Sequence, residues 1–349
     1  MTINSNLKTM LITIAIGSMG GGAFFVLNLP LPWMLGAIFA TTLVALAKLP
    51  LDSPSQVRPF VVAVIGVMLG SEFEPDTFSQ INQWIVSLIG LFTCIALSAF
   101  IAQALLRRWG GMDPVTALFS AMPGGLVEMV EIGRAEGGDD RAIILNHTCR
   151  IVLTIAAIAF WFRLVLGLEV VGTTSLPRGE TGLIDLAILA ACAVLGAVLG
   201  TRLKLPAPAF LGPLILSATV HMAGLTNGGP PIFMVIGSQV LLGVIVGCRF
   251  EGIQPAKLWQ AIKLAVISTT LMLAVAMSLA FCLSGLIGKS TEQIFLAYAP
   301  GGLSEMSLVA LSMNADAAYV ATHHLIRIVI LLALASTVLA RIARRVKGR

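Results

Sequence analysis

The sequence predicts an all-α polytopic membrane protein made of two inverted-topology repeats, each with about five transmembrane helices and one re-entrant or broken helical segment. Three observations carry this. Of 349 residues, 57% are hydrophobic and only 11% charged, against about a quarter charged in ordinary soluble chains, so a wetted surface cannot be assembled. Apolar runs of roughly 17–25 residues recur along the whole length, enough to cross about 30 Å of hydrocarbon. The second half of the chain also repeats the first.

The repeat is read from three echoes. Leu29-Pro30-Leu31-Pro32-Trp33-Met34-Leu35-Gly36 returns as Leu205-Pro206-Ala207-Pro208-Ala209-Phe210-Leu211-Gly212. Gly66-Val67-Met68-Leu69-Gly70-Ser71-Glu72-Phe73-Glu74 returns 177 positions later as Gly243-Val244-Ile245-Val246-Gly247-Cys248-Arg249-Phe250-Glu251. Pro123-Gly124-Gly125-Leu126-Val127-Glu128-Met129 returns at the same offset as Pro300-Gly301-Gly302-Leu303-Ser304-Glu305-Met306. Asp139, His147 and Arg150 pair in that register with Asp316, His324 and Arg327. Self-similarity of this kind defines the architecture before any single element does. The expected organisation is a first repeat over 1–168, a linker over 169–181 and a second repeat over 182–349.

The spans of the first repeat are expected at roughly 9–27, 32–48, 58–73, 83–106 and 141–166, and those of the second at 182–200, 208–224, 232–250, 259–286 and 316–341. The stretch 9–27 resembles a leader peptide, but its counterpart at 182–200 lies deep in the chain, so a retained first helix is expected. Between the fourth and fifth spans lie 115–135 and 292–312, each split by Pro-Gly-Gly into pieces of two or three turns. Pieces so short do not each cross a bilayer, so the segment either dips in and returns or crosses once as a broken helix.

Charge placement orients the repeats. Lys48 and Arg58 follow the second span and Arg107-Arg108 the fourth, whereas Arg202 and Lys204 follow the first span of the second half and Lys257 and Lys263 its third. If basic loops stay cytoplasmic, the parity flips between halves. Five crossings and a re-entrant segment per repeat satisfy that, with both termini cytoplasmic. Arg341, Arg344, Arg345, Lys347 and Arg349 then form a basic cytoplasmic tail. A net charge of +5 is no nucleic-acid signature, and nucleic acid is not an expected partner.

The chemistry concentrates at the breaks. Unwound backbone in a bilayer must be buried in protein or line a wet cavity. Pro123 and Pro300 remove a donor, while Gly124, Gly125, Gly301 and Gly302 permit unusual dihedrals. The helix starting after each break aims free N–H groups and a positive dipole end inward, where an anion is the natural guest; a tight turn between packed helices is the plainer reading. Glu128 and Glu305 follow within about a turn, either compensating the dipole or binding a proton or sodium ion. Arg150 and Arg327 lie about 15 Å along their helices from Asp139 and Asp316, near mid-membrane. A charge there needs an interior partner. Glu128 and Glu305 are the expected ones, as structural staples or as pairs that open to substrate. His147 and His324 share the arginines' helical face three residues earlier.

Other features read as packing. Gly17 with Gly21, Gly66 with Gly70, Gly196 with Gly200 and Gly243 with Gly247 are small-xxx-small faces for close helix contact. Glu72, Arg249, Glu74 and Glu251 read as interfacial charges at span ends. The five cysteines, Cys94, Cys149, Cys192, Cys248 and Cys282, form no C-x-x-C pair, so neither a disulfide framework nor a metal site is expected. No cofactor is expected either.

Pro32-Trp33-Met34-Leu35-Gly36, Met122 to Met129, Ala299 to Met306, and the stretch His323 to Arg327 resemble the AbrB family of bacterial inner-membrane proteins, and the resemblance covers essentially the whole chain. It implies the duplicated architecture and a transporter-like fold of the cation–proton antiporter and anion-transporter type. Family members carry labels such as ammonia monooxygenase or membrane regulator, and no mapped site comes with the resemblance. An oxidative copper or iron enzyme would need several clustered His or carboxylate ligands, and the chain has four histidines in all. The expectation is therefore not an enzyme but a multi-pass inner-membrane secondary transporter. It would move a small anionic metabolite with proton or sodium coupling, its partners being that substrate, the lipid bilayer and a second copy in a homodimer. The alternative is a membrane-embedded metabolite sensor or regulator that binds without transport.

Overall fold

Every expected apolar span forms a helix. A computed structural model describes residues 2–73, 81–167, 181–205, 207–253, 255–313, 315–334, 337 and 341–343. In the first half, α1 is Thr2–Val26, α2 Pro32–Leu46, α3 Arg58–Gly70, α4 Ile81–Arg108, α5 Pro114–Ala121, α6 Leu126–Ala135 and α7 Asp140–Leu164. In the second, α8 is Leu183–Arg202, α9 Pro208–Met222, α10 Ile232–Gly247, α11 Pro255–Ile287, α12 Thr291–Tyr298, α13 Leu303–Ser312 and α14 Ala317–Leu334. No strand occurs among the described residues. Seven of these helices, α1, α4, α7, α8, α10, α11 and α14, are long and apolar enough to cross a membrane, and the protein is a polytopic helical membrane protein. The other three spans, α2, α3 and α9, are shorter apolar helices of 15, 13 and 15 residues, about 20–23 Å long at 1.5 Å per residue. Glu74, Arg344, Arg345, Lys347, Arg349 and nearly all of the linker lie outside the described residues.

The chain forms two compact units, and each takes helices from both sequence halves. Unit 1 comprises residues 1–78, 158–253 and 307–318, holding α1–α3 and α8–α10. Unit 2 comprises residues 79–157, 254–306 and 319–349, holding α4–α6, most of α7, α11, α12, the first turn of α13 and α14.

Unit 1 is built on glycine contacts. α1 packs on α2 and α8 on α9, while α2 packs on α10 and α3 on α9. At the first crossing a Cβ on Gly20 would strike the Gly36 carbonyl, and one on Gly36 the Gly20 carbonyl; between α8 and α9 a Cβ on Gly212 would strike the Gly196 carbonyl, and one on Gly196 the Gly212–Pro213 backbone. Gly66 and Gly70 bring α3 onto the backbone of Phe210 and Leu214, and Gly243 and Gly247 bring α10 onto Met34 and Thr41. Backbones this close exchange dispersion contacts that a longer side chain would prevent, which is how helices associate where no water is available to drive them together. The turn leading into these crossings is also duplicated. Asn28 and Lys204 take left-handed dihedrals after α1 and α8, and Leu29 N–H and Leu205 N–H reach back to the Phe24 and Gly200 carbonyls at 2.9 Å, the six-to-one closure of a Schellman end. Exposed Leu11, Met19, Leu183 and Leu195 cover the outer faces of α1 and α8, as lipid contact requires.

In unit 2, the long helices α4 and α11 pack against each other, with α5 on α4 and α12 on α11. Val115, Leu118 and Phe119 of α5 share a core with Met129 of α6 and Ile143 of α7. This core holds the two halves of the first broken helix beside α7.

Candidate functional site

Both breaks form as expected, and all twelve candidate residues, Pro123, Gly124, Gly125, Glu128, His147, Arg150, Pro300, Gly301, Gly302, Glu305, His324 and Arg327, fall in unit 2. The chemistry of the break starts from what proline lacks. In a continuous helix residue 123 would donate its N–H to the Phe119 carbonyl and residue 300 to Leu296. His147 Nε2 lies 2.9 Å from the Phe119 oxygen and His324 Nε2 lies 2.9 Å from the Leu296 oxygen. A carbonyl only accepts, so each imidazole donates from Nε2 and replaces the missing amide hydrogen.

The arginines complete the same repair. Arg150 Nη1 donates to the Ser120 carbonyl at 2.9 Å and, more weakly, to Ala121 at 3.4 Å, while its Nη2 donates to Met122 at 3.1 Å. Arg327 Nη1 donates to Ala299 at 2.7 Å, and its Nη2 makes a short bond to the Gly301 carbonyl. The Ser120, Ala121, Met122 and Ala299 oxygens are orphan carbonyls at the C-terminal ends of α5 and α12, where a helix carries partial negative charge, and Gly301 lies in the break beyond. Each buried guanidinium therefore finds its compensation in backbone oxygens. The expected pairing with Glu128 and Glu305 does not form: among the described residues, no carboxylate lies within ion-pair distance of Arg150 or Arg327, whose hydrogen bonds run to the acceptors just named and to His147. That last bond, Arg150 Nη2 to His147 Nδ1 at 2.9 Å, fixes the neutral tautomer of His147. His324 Nδ1 has no hydrogen-bond partner.

The glutamates do something else. Glu128 is the third residue of α6, which is preceded by Gly125 in ordinary extended dihedrals (φ −62°, ψ 133°) with no side-chain cap. A Cβ on Gly125 would collide with a Glu128 carboxylate oxygen, and one on Gly302 with a Glu305 oxygen. Both acids thus fold back over the positive ends of α6 and α13, and Ser304 Oγ holds Glu305 Oε2 at 2.9 Å. The glycines are needed for space here, since neither Gly124, Gly125, Gly301 nor Gly302 has a positive φ. A Cβ on Gly124 or Gly301 would likewise press on Met129 or Met306.

One group had no signal in the repeat. The chain's two tyrosines converge on Ser87 of α4: Tyr298 Oη donates to the Ser87 carbonyl at 2.6 Å, and Tyr319 Oη meets Ser87 Oγ. His323 packs on Tyr319 with ring centroids 4.1 Å apart. The first-repeat counterparts of Tyr298 and Tyr319, 177 positions earlier, are Ala121 and Ala142, so only the second break is tied to α4 in this way. Among the described residues no three His, Cys, Asp or Glu side chains group as metal ligands.

A family model described as transition state regulatory protein AbrB matches residues 33–343, nearly the whole chain and both breaks. The chain belongs to the AbrB family. Its similarity to other AbrB proteins is spread along the length rather than confined to one motif. It is 24% identical to the "Uncharacterized protein YhjN" of Bacillus subtilis strain 168, over 95% of this chain and 92% of that one. It is also 24% identical to the "Putative regulator AbrB" of Escherichia coli K12, over 87% of this chain and 88% of that one.

Proposed function

We propose that this AbrB-family protein is a secondary transporter carrying a small anionic metabolite across the bacterial inner membrane, coupled to protons or sodium, with both termini cytoplasmic and no catalytic step. One observation carries the reading. Two helix breaks lie in the same unit, each with the helix before it closed by a buried His–Arg pair and the helix after it opening on a carboxylate. Interrupted helices in membrane proteins place helix ends where ions and charged substrates bind, and a duplicated, oppositely oriented pair suits alternating access. The small seams of unit 1 support the same reading, since a firm scaffold is what a moving site requires. The lipid bilayer is the one constant partner, and a homodimer is the proposed assembly.

The test is flux. Purified protein in proteoliposomes should take up a radiolabelled anion saturably from a panel of carboxylates and oxyanions, and Arg327→Ala should abolish uptake. The second reading, a membrane-embedded sensor, is favoured by the regulator name of the E. coli relative. Saturable binding that depends on Arg327 but yields no flux would select it.

A further inference from the structure

We infer that Glu128 and Glu305 are tethered occupants of the two anion positions in unit 2, and that cargo displaces them with one proton taken up per negative charge bound. The inference rests on the reading of the broken helices as an anion site and specifies how coupling arises there.

Three observations combine. First, both carboxylates lie back over the amide ends of α6 and α13, in the space a Cβ on Gly125 or Gly302 would fill, which is where a bound anion gains most from a helix terminus. Second, the guanidiniums at the breaks are not saturated. Arg150 is 5% exposed and Arg327 2%, and each has an Nε–H with no hydrogen-bond partner. Both are anchored by their other nitrogens to carbonyls of the break itself, at Met122 and Gly301. A buried cationic donor without an acceptor is an unfavourable arrangement, and an incoming oxygen would relieve it. Third, with the glutamates ionised and no cargo bound, the formal charges at the two breaks sum to zero. Two guanidiniums offset two carboxylates, and the negative ends of α5 and α12 offset the positive ends of α6 and α13, each about half a charge.

A dianion entering this set unaccompanied would leave net negative charge inside the bilayer, which membrane interiors resist. Protonating one oxygen of each glutamate removes the excess. The neutral acids lose their attraction for the helix ends, and cargo oxygens take the N–H groups and the arginine Nε–H donors. Protons enter from one aqueous phase and leave to the other when cargo departs and the carboxylates return. His147 is held neutral, since its Nδ1 accepts from Arg150 while its Nε2 donates to the Phe119 carbonyl, and Glu131 and Arg134 are exposed further along α6.

Detergent-purified full-length protein tests this with sulfate and succinate as dianions and acetate and chloride as monoanions. Binding is followed by thermal shift and proton uptake by an indicator dye in weak buffer. The expected result is one proton per negative charge bound. Dianion affinity should then rise by about a hundredfold per unit fall in pH while both glutamates are ionised. The double variant Glu128→Gln, Glu305→Gln should bind with no uptake and no pH dependence. Binding by wild-type protein without proton uptake, or unchanged uptake in the double variant, overturns the displacement and leaves the anion site standing. If none of the four anions binds, the anion-site reading itself falls.

Discussion

Pro123 removes the amide hydrogen that the Phe119 carbonyl would have received, and an imidazole 24 residues further on supplies another; Pro300 and His324 repeat the arrangement at the same spacing. A buried acceptor left unpaired costs about 1–3 kcal/mol, so Arg150→Ala, which strands the Ser120 and Met122 carbonyls, should lower unfolding stability by several kcal/mol in detergent. Arg327→Ala should do the same. Glu128→Gln should stay within about 1 kcal/mol of wild type, as expected of a half-buried side chain outside any tight network. Equal losses for Arg150→Ala and Glu128→Gln would instead imply a Glu–Arg pair. The identities of these residues were legible in the sequence because charge and proline are rare in apolar spans. Their partners were not. Carbonyl acceptors are invisible in a list of side chains, which is why the sequence points the arginines to Glu128 and Glu305 within each repeat. The Ser87, Tyr298 and Tyr319 contact was missed for a related reason, since nothing in the first repeat echoes it.

At the scale of elements, hydrophobic length located every span, because the bilayer requires long apolar runs and the chain has few other ways to be apolar. The three shortest expected spans become the short helices α2, α3 and α9, and what length alone does not show is that glycine seams embrace them closely. The seam glycines were legible as pairs spaced by four, yet the closest backbone approach of α1 is at Gly20 against Gly36, while Gly17 meets the Val244 side chain, a matter of crossing geometry that spacing leaves open. Gly66 and Gly243 test the duplication directly. A Cβ on either meets a partner backbone oxygen, that of Phe210 or Met34, which cannot rotate away as a side chain can. Gly66→Leu and Gly243→Leu should therefore each destabilise unit 1 by about 1–3 kcal/mol or more through overpacking. Gly22→Leu, where nothing lies within 4 Å, should be neutral. Thermal unfolding of the three variants in one detergent checks this.

Across the whole molecule, repetition in sequence and compactness in space follow different lines. The halves of the sequence contribute helices to both units, so the boundary expected near residue 170 is not a border in the packing. Inverted orientation is the property that would make such interleaving useful, because two copies facing opposite ways can trade conformations. The basic residues make this checkable. Single cysteines at Asn28, Trp109 and Leu203, placed in a background with exposed Cys282 replaced, report the side of the membrane to an impermeant maleimide. With cytoplasmic basic loops, Trp109→Cys and Leu203→Cys should label only in inverted vesicles and Asn28→Cys only in intact cells. The position at Leu203 decides the matter. A parallel duplication places it on the outer side, opposite Trp109, whereas the inverted one brings both beside the basic residues Arg107, Arg108, Arg202 and Lys204. Labelling of Leu203→Cys from outside would remove the opposed entry of the two breaks, and with it the reason for expecting a site that opens alternately to either side.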